Sequence, residues 1–186
     1  DSLDWDGVPQ TTLTRPANGE FPWEPPQVWR RAWVNGMDLW ESWWPEPYRL
    51  IQNEGRGLLT QGTREWRDYE VLATVTPVLM DQGGIGIRAQ GMRRYYALLL
   101  CDDKKARLIK ALDGETILAE ADFPWRYNQS YGLRLQAEGT KLSAWINGEL
   151  FFTVEDEDRP LSGGAAAYVV EQGHIMSDSM VIRPIF

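Results

Sequence analysis

The spacing of apolar runs is the feature that most restricts how this chain can fold. From Tyr48 onward, short apolar runs alternate with turn residues about every eight to twelve positions. No stretch carries a helical apolar stripe longer than about two turns. Short strands separated by such turns are typical of sandwiches and barrels. We therefore predict an all-β fold, an antiparallel β-sandwich of the jelly-roll type with about 11 to 13 strands.

The segment from Tyr131 to Asp156 predicts a three-stranded meander. Its turns fall at EGTK and INGE, where Gly and Asn-Gly accept the positive φ of tight hairpins. The middle strand alternates between a set predicted to be core, Leu142, Ala144 and Ile146, and an opposite set, Ser143, Trp145 and Asn147. Trp145 is therefore expected on the opposite face of its sheet from the core.

A second alternation, in GGIGIRAQ, predicts an open surface. One face takes Ile85, Ile87 and Ala89, which leaves the opposite face to Gly84, Gly86, Arg88 and Gln90. Glycines beside one arginine would form a shallow surface with a single strong polar anchor.

The first 47 residues differ from the rest in composition and periodicity. They are rich in Trp and Pro and show little periodicity, and proline favours extended or turn backbone. We expect a single domain over residues 1–186, in which an irregular segment 1–47 packs on regular strands in 48–186. Packing is the expected role of Trp29, Trp33 and Trp40.

The adjacent residues Trp43 and Trp44 lie in this segment among prolines and charges. In extended backbone they cannot both point inward. One ring is therefore expected to hold the segment on the sandwich, while the other stays at the surface. We take Trp44 as the candidate contact for a ligand or a partner domain.

Charge and composition exclude several classes of partner. The net charge of −8 argues against nucleic acid or an anionic membrane as the main partner. No apolar run is long enough to span a bilayer, and the start shows no signal-peptide pattern. The single cysteine, Cys101, fits a reducing compartment and so favours a cytoplasmic location. One cysteine and one histidine also argue against a zinc site.

The sequence offers little for catalysis. No P-loop, dinucleotide fingerprint, HExxH or GxSxG motif occurs. His174, the only imidazole, is expected in a turn between the last two strands, solvated or locally bonded. The acidic runs at 102–103 and 155–158 are expected to be solvated turns, with a calcium site as the next option because calcium prefers several hard oxygens. We predict no catalytic residues, no metal ligands and no cofactor.

The aromatic residues carry the stronger functional signal. Sugar rings lay their C–H patches on Trp and Tyr faces, while polar side chains bind the hydroxyls. The candidate site residues are Arg88 and Gln90 as polar anchors, Tyr95, Tyr96 and Trp145 as stacking surfaces, and Lys110 as a further donor. The alternative is that these rings simply fill the core, and for Trp145 both interpretations stay open.

From Tyr69 to the end, the order of the strands resembles the concanavalin A-like, laminin G-like sandwiches that occur as sugar-binding modules. The matching stretches are GIGIRAQ, RRYYALLL, KARLIKALDGETILAE, YGLRLQAEGTKLSAWINGELFFTVED and GGAAAYVVEQGHIMSDSMVIRP. This resemblance implies a sandwich fold and a glycan ligand.

A closer resemblance is carried by DLWESWWPEPYRLIQNEGRGLLTQGTREWRDYEV followed by GIGIRAQGMRRYYALLL. Together these stretches resemble the C-terminal extension of bacterial proteins of the ADP-ribosylglycohydrolase family. The hydrolase of that family is an all-helical, magnesium-dependent domain, and none of its acidic motifs is recognisable in this sequence. The resemblance implies an accessory sandwich, with a glycan or ribose-bearing ligand and a helical hydrolase domain of the same polypeptide as partners.

Three functions are compatible with these patterns. The first is a non-catalytic carbohydrate-binding module, the accessory domain of a larger hydrolase. The second is a structural domain that docks on a partner or on itself, which predicts an exposed apolar patch. The third is a glycoside hydrolase of this sandwich class, which requires two carboxylates facing each other in a groove.

Overall fold

A computed structural model describes residues 32–41 and 47–185 of the chain. This part contains twelve strands: β1 (Trp33–Gly36), β2 (Leu39–Glu41), β3 (Tyr48–Gln61), β4 (Tyr69–Gly91), β5 (Arg94–Cys101), β6 (Lys105–Leu112), β7 (Glu115–Asp122), β8 (Tyr131–Glu138), β9 (Lys141–Ile146), β10 (Glu149–Glu155), β11 (Ala165–Ser177) and β12 (Met180–Pro184). Every pairing between them is antiparallel. The predicted fold class is therefore confirmed.

The strands form two sheets that share one strand. In sheet A the order is β3–β11–β4–β5–β6–β7, with β1 and β2 both paired to the outer edge of β3. In sheet B the order is β12–β4–β8–β9–β10. The last three strands of sheet B are the predicted meander. Its turns have positive φ at Gly139, Asn147 and Gly148, as the hairpin signals require.

Strand β4 belongs to both sheets. Residues 69–75 pair with β8 in sheet B, and residues 76–91 pair with β11 and β5 in sheet A. The change occurs at Pro77, which cannot donate to a ladder and lies opposite Ile175 where the register of β11 shifts. The stretches DYEVLATVTPVL and GGIGIRAQ are thus parts of one continuous strand.

The main core lies between the two sheets. It includes Leu142, Ala144 and Ile146, so the predicted core face of β9 is confirmed. Two short strands, β1 and β2, form within the segment for which irregular backbone was expected. They bring Trp33 and Trp40 into the core, as predicted, with Trp33 stacked on Tyr168 at a centroid distance of 6.2 Å. Trp29, Trp43 and Trp44 lie outside the described residues.

The outer face of sheet A carries a second apolar cluster. Its members are Leu58, Ala89, Tyr95, Ala97, Leu99, Cys101, Ile109, Ala111, Ala165, Ala167 and Val169. The predicted glycine face of β4 belongs here, since Gly84 pairs with Leu99 and Val169 and Gly86 pairs with Ala97 and Ala167. The predicted open surface with a polar anchor is wrong: this face is apolar, since its neighbours in the sheet are Leu, Val and Ala, and those neighbours are buried.

His174 also differs from expectation. It lies within β11, opposite Ile51 and Leu79, and not in a turn between the last two strands. The reason is a bulge just before it, where Gln172 takes a positive φ and the chain continues as strand.

Candidate ligand-binding site

A cavity among the described residues forms a basin on the outer face of sheet B. Its volume is about 420 Å³, and it is lined by side chains and backbone of β4, β8, β9 and β12, namely Leu72, Ala73, Thr74, Gly132, Leu133, Arg134, Trp145, Asn147, Gly148, Ser179 and Val181. This size falls within the range of small-molecule sites, about 300–1,000 Å³. We refer to it as the sheet B basin.

One cross-strand row on sheet B forms a wall of the basin and extends beyond it. Reading across the sheet, the row is Val181, Leu72, Arg134, Trp145 and Leu150, of which all but Leu150 line the basin. These side chains share the outer face because residues directly opposite each other in a sheet point the same way. The row explains why Trp145 is only partly buried while its neighbours in sequence, Ala144 and Ile146, are core.

The floor of the basin is a glycine. Gly132 lies opposite Thr74, and a Cβ added to it would meet only the Asn147 side chain, at 3.9 Å. The Gly132 amide donates to Asn147 Oδ1 at 2.9 Å, and the Asn147 amide donates to the Gly132 carbonyl at 2.7 Å. The missing side chain creates the space, and the paired hydrogen bonds fix the Asn147 side chain at its rim.

Arg134 lies directly beside Trp145. Its guanidinium carbon is 4.1 Å from the centroid of the Trp145 ring, within cation–π range. Arg134 Nε donates to Glu70 Oε2 at 2.7 Å, and Nη2 donates to Gln136 Oε1 at 3.1 Å. The ring is therefore held in place by a charged group that is itself held by its neighbours in the sheet.

The sequence pointed to Trp145 but not to the residues around it. The structure adds Gly132, Arg134, Thr74 and Ser179 to the basin. The alternation in YGLRLQAE placed Gly132 and Arg134 on one face of β8, and this was the available signal. The pairing of that face with Trp145 depends on register, which the sequence does not display.

Arg88 is buried where the sequence predicted an exposed anchor. A bulge between Ile87 and Gly91, with a φ of 53° at Arg88, turns its side chain away from the glycine face. Only 1% of Arg88 is exposed. Its guanidinium donates to the carbonyls of Arg67, Gly139 and Leu161 and to Asp68 Oδ1, at 2.6–3.0 Å. Burial lowers the pKa of Arg88, and Asp68 opposes that shift.

Like Arg88, which contacts Leu161, three further predicted site residues bind the loop formed by residues 156–164. Lys110 Nζ donates to Asp156 Oδ1 and Oδ2 at 2.9 and 2.8 Å. The Tyr96 hydroxyl donates to Asp156 Oδ2 at 2.5 Å and accepts from the Leu161 amide. Gln90 Nε2 donates to the Gly163 carbonyl at 2.8 Å. The structure thus brings Arg88, Gln90, Tyr96 and Lys110 together, but as anchors of this loop.

Tyr95 lies elsewhere, on the outer face of sheet A. Its hydroxyl accepts from Arg56 Nη1 at 3.2 Å. Arg56 also contacts Glu115 at 2.6 Å and Glu171 at 2.7 Å, so that one guanidinium joins β3, β5, β7 and β11. Burial alone would lower the pKa of Arg56, but Tyr95 and Glu115 raise it. The two carboxylates accept from the same cation, which differs from the facing pair that glycoside hydrolysis requires.

Trp44 lies outside the described residues, so its contact with a ligand stays a prediction, as does any sugar contact of the loop anchors and Tyr95. Within residues 32–41 and 47–185, no three His, Cys, Asp or Glu side chains come together to hold a metal ion. In the same part of the chain, no helix is long and apolar enough to cross a membrane.

The fold is shared with several solved structures. The carbohydrate binding module CBM66 from Bacillus subtilis superposes with a TM-score of 0.72 at 16% identity, covering 82% of this chain and 95% of its own. A Bacillus subtilis protein with a galectin-like fold gives a TM-score of 0.64 at 14% identity, covering 95% and 98%. The alginate lyase AlgAT5 gives 0.61 at 10% identity, covering 83% and 95%.

Comparisons of sequence give no further relative, since no family model and no curated protein matches this chain. At such low identities the structural matches show the fold alone. They place the chain among antiparallel sandwiches whose members include a carbohydrate-binding module and a polysaccharide lyase.

Proposed function

We propose that this domain is a non-catalytic carbohydrate-binding module whose ligand occupies the sheet B basin. The observation that carries the proposal is the combination of a partly exposed Trp145 with an open floor at Gly132. A sugar ring needs an aromatic face for its C–H patch and space beside that face for its hydroxyls. Both are present within one cavity.

The rim supplies polar groups of the kind that bind hydroxyls. Asn147 Oδ1 is engaged by the Gly132 amide, which leaves the Asn147 side-chain amide nitrogen to donate to a ligand. Thr74 and Ser179 add hydroxyl groups, and Arg134 adds a guanidinium beside the ring. A few convergent polar groups around an apolar wall are typical of small-molecule sites. The shared fold with a carbohydrate-binding module supports the same interpretation.

The decisive experiment is a binding survey with the full chain. A panel of polysaccharides, oligosaccharides and ADP-ribose is titrated by calorimetry, since the ligand class extends to ribose-bearing molecules. We expect at least one ligand to bind, and Trp145→Ala to weaken it about tenfold or more, as for loss of a stacking ring at a hot spot. Tyr127→Ala is the control, because Tyr127 is an exposed aromatic residue outside the basin. Absence of binding across the panel, or full binding by Trp145→Ala, would refute the proposal.

We further propose that this domain is part of a larger hydrolase of the ADP-ribosylglycohydrolase family. The quoted sequence resemblance supports it, and an accessory module that binds a glycan fits that context. Expression of the complete natural polypeptide, followed by hydrolase assays with and without this domain, tests it. A polypeptide without a hydrolase domain would contradict it.

Docking of a protein partner is a second candidate function, favoured by one observation. Leu150 is 54% exposed at the end of the row that contains Trp145, Leu72 and Val181, so the apolar surface extends beyond the basin. Light scattering over a range of concentrations tests self-association. A mass that rises with concentration, and is restored to that of the monomer by Leu150→Ser, would support docking over sugar binding.

A further inference from the structure

The outer face of sheet A is concave. Four strands separate β3 from β7 in this sheet, so that in a flat sheet the two would lie about 24 Å apart. Arg56 on β3 nevertheless reaches Glu115, the first residue of β7, with 2.6 Å between Nη1 and Oε2. Two side chains meet over that separation only where the sheet twists and curves toward them. The contact between Arg56 and Glu115 therefore spans a concave surface.

A cavity of about 220 Å³ lies on this concave surface. Its polar lining consists of Arg56, Arg93, Tyr95, Glu115 and Glu171, and it shares no residue with the sheet B basin. We refer to it as the sheet A cavity. It is smaller than the about 300–1,000 Å³ of sites for drug-sized molecules, so it fits a single small ring and not a longer chain.

Arg56 supports the other polar groups of the cavity. Its Nε donates to Glu171 Oε2, which Nη2 also contacts. Its Nη1 donates to Glu115 Oε2 and to the Tyr95 hydroxyl, and its Nη2 donates to Gln82 Oε1. All three nitrogens of the guanidinium are thus engaged, so Arg56 fixes the positions of its neighbours and leaves the contacts with a ligand to them.

Each of the two carboxylates keeps one oxygen for a ligand. Glu115 and Glu171 both bind Arg56 through Oε2. Among residues 32–41 and 47–185, nothing donates a hydrogen bond to the Oε1 atom of either side chain. The two side chains are 35% and 25% exposed, so that both Oε1 atoms can accept from a molecule in the cavity.

The Tyr95 hydroxyl supplies a donor. It accepts from Arg56 Nη1 at 3.2 Å, which leaves its own proton to donate. Burial raises the pKa of Tyr95, and although the charge of Arg56 opposes that shift, the hydroxyl stays protonated at neutral pH. The sheet A cavity therefore presents two anionic acceptors and one neutral donor, all held in place by one arginine.

The charges of the cavity favour a neutral ligand. Arg56 and Arg93 balance Glu115 and Glu171, so that neither an anion nor a cation gains a net attraction. Carboxylate oxygens accept hydrogen bonds but do not donate them, so the ligand has to bring the donors. Met92 adds an apolar contact for carbon atoms. A small neutral molecule with several hydroxyl donors and an apolar C–H surface is a monosaccharide, or one residue of a glycan.

We propose that the sheet A cavity is a second saccharide site, which binds one neutral sugar residue through Glu115, Glu171 and Tyr95. This inference goes beyond the proposed function, because the cavity and the sheet B basin lie on opposite sides of the sandwich and neither site needs the other. Tyr95, predicted as a stacking surface, acts here through its hydroxyl. A domain with both sites holds two sugar residues at once.

Two glycines provide a matched pair of variants. An added Cβ meets nothing within 4 Å at Gly114 in the sheet A cavity, and only the Asn147 side chain, at 3.9 Å, at Gly132 in the basin. Neither glycine has a positive φ, so both accept a side chain. Gly114→Val should fill the sheet A cavity and leave the basin open, and Gly132→Val should do the reverse.

The experiment titrates the isotope-labelled full chain with free pentoses and hexoses and follows the backbone amides by NMR. We expect at least one sugar to shift the amide signals of Glu115 and Glu171. Its Kd at these signals should be unchanged in Gly132→Val and should rise about tenfold or more in Gly114→Val and in Glu171→Gln. A factor of this size corresponds to the loss of one hydrogen bond to a charged group.

The two proposals fail in different ways. Shifts that occur only around the basin, and that vanish in Gly132→Val, would overturn the second site while the proposed function stands. Shifts at Glu115 and Glu171 alone would support the second site and refute the basin. No shift with any sugar would refute both. Tighter binding of methylammonium ion than of every sugar would show a cation site and overturn the proposal.

A purely structural role of the Arg56 network is distinguished by the same titration. It predicts that Glu171→Gln lowers the thermal midpoint and leaves the Kd of the sugar unchanged, and that outcome would overturn the proposal. If Gly114→Val does not fold, Glu171→Gln decides, because its amide oxygen can still accept from Arg56 while its amide nitrogen cannot accept from a sugar.

Discussion

The guanidinium carbon of Arg134 lies 4.1 Å from the ring centroid of Trp145. The two residues face each other across β8 and β9, and Glu70 holds the guanidinium from the opposite side at 2.7 Å. Trp145 is thereby fixed in place, so that the proposed binding of a ligand in the basin would cost little side-chain entropy.

Arg134→Ala should weaken ligand binding, because the Trp145 ring is still present but loses a contact that fixes its position. We expect a smaller loss of affinity than for Trp145→Ala. The free energy of unfolding should fall by about 1 kcal/mol, because the cation–π contact and the hydrogen bonds to Glu70 are lost. Calorimetric titration and urea denaturation measure the two effects. An affinity equal to that of the parent protein would show that the ring needs no support from Arg134.

Gly132→Val should abolish binding without cost to the fold. Gly132 has no positive φ, and an added Cβ meets nothing closer than 3.9 Å. A β-branched side chain in a strand interior should therefore keep or raise stability, by up to about 1 kcal/mol, while it fills the basin floor. Thermal denaturation and ligand titration check both parts. Retained binding at unchanged stability would place the ligand elsewhere on the domain.

Asp156→Ala should be among the most damaging single substitutions in the described chain. It leaves the Lys110 ammonium and the Tyr96 hydroxyl without their shared partner in a buried site. Loss of one member of a buried ion pair costs about 3–5 kcal/mol. Urea denaturation should show a smaller loss for Lys110→Met/Asp156→Leu, which removes both charges. Equal losses in the single and double variants would mean that packing, and not the unpaired charge, is decisive.

Stability should fall with acidification through the titration of His174. Its pKa is lowered in the folded state by burial and by the charge of Arg49, which Glu41 partly offsets. The unfolded chain therefore takes up the proton first, near its usual pKa of about 6.5. Stability is lost as the pH falls through that value and until the lower folded pKa is passed.

Urea midpoints measured over a window of about 2 to 3 pH units around the usual histidine pKa check this prediction. His174→Gln should reduce the dependence of the urea midpoint on pH, above the pH range in which carboxylates titrate. Because the chain has one histidine, an unchanged profile in this variant would assign the effect to other groups.

The fold was predictable because its signals are local. Alternation in β9 separated Leu142 and Ala144 from Trp145, and the EGTK and INGE turns marked the meander. The path of β4 could not be predicted from local signals. Its passage from one sheet to the other depends on the pairing of Pro77 with Ile175, which lies about 100 residues away in the sequence.

The candidate site was predicted only in part, for the same physical reason. A single bulge at Arg88 reversed the side on which the expected anchor lies. Alternation cannot reveal a bulge, because one inserted residue changes the facing of all that follow. Arg134 was missed although it is the neighbour of Trp145, since register between strands is a property of the folded sheet.

The position of β11 has a consequence for how the chain folds during its synthesis. This strand lies between β3 and β4, so both must wait for residues 165–177 before their facing edges are paired. A ribosome that adds about 5–20 residues per second needs roughly 4 to 15 seconds to travel from the end of β4 to the start of β11. During that interval the three-stranded meanders β5–β6–β7 and β8–β9–β10 can form. The edges of β3 and β4 that will pair with β11 meanwhile stay open to other chains. The nascent chain is therefore most exposed to misassembly shortly before its last strands emerge.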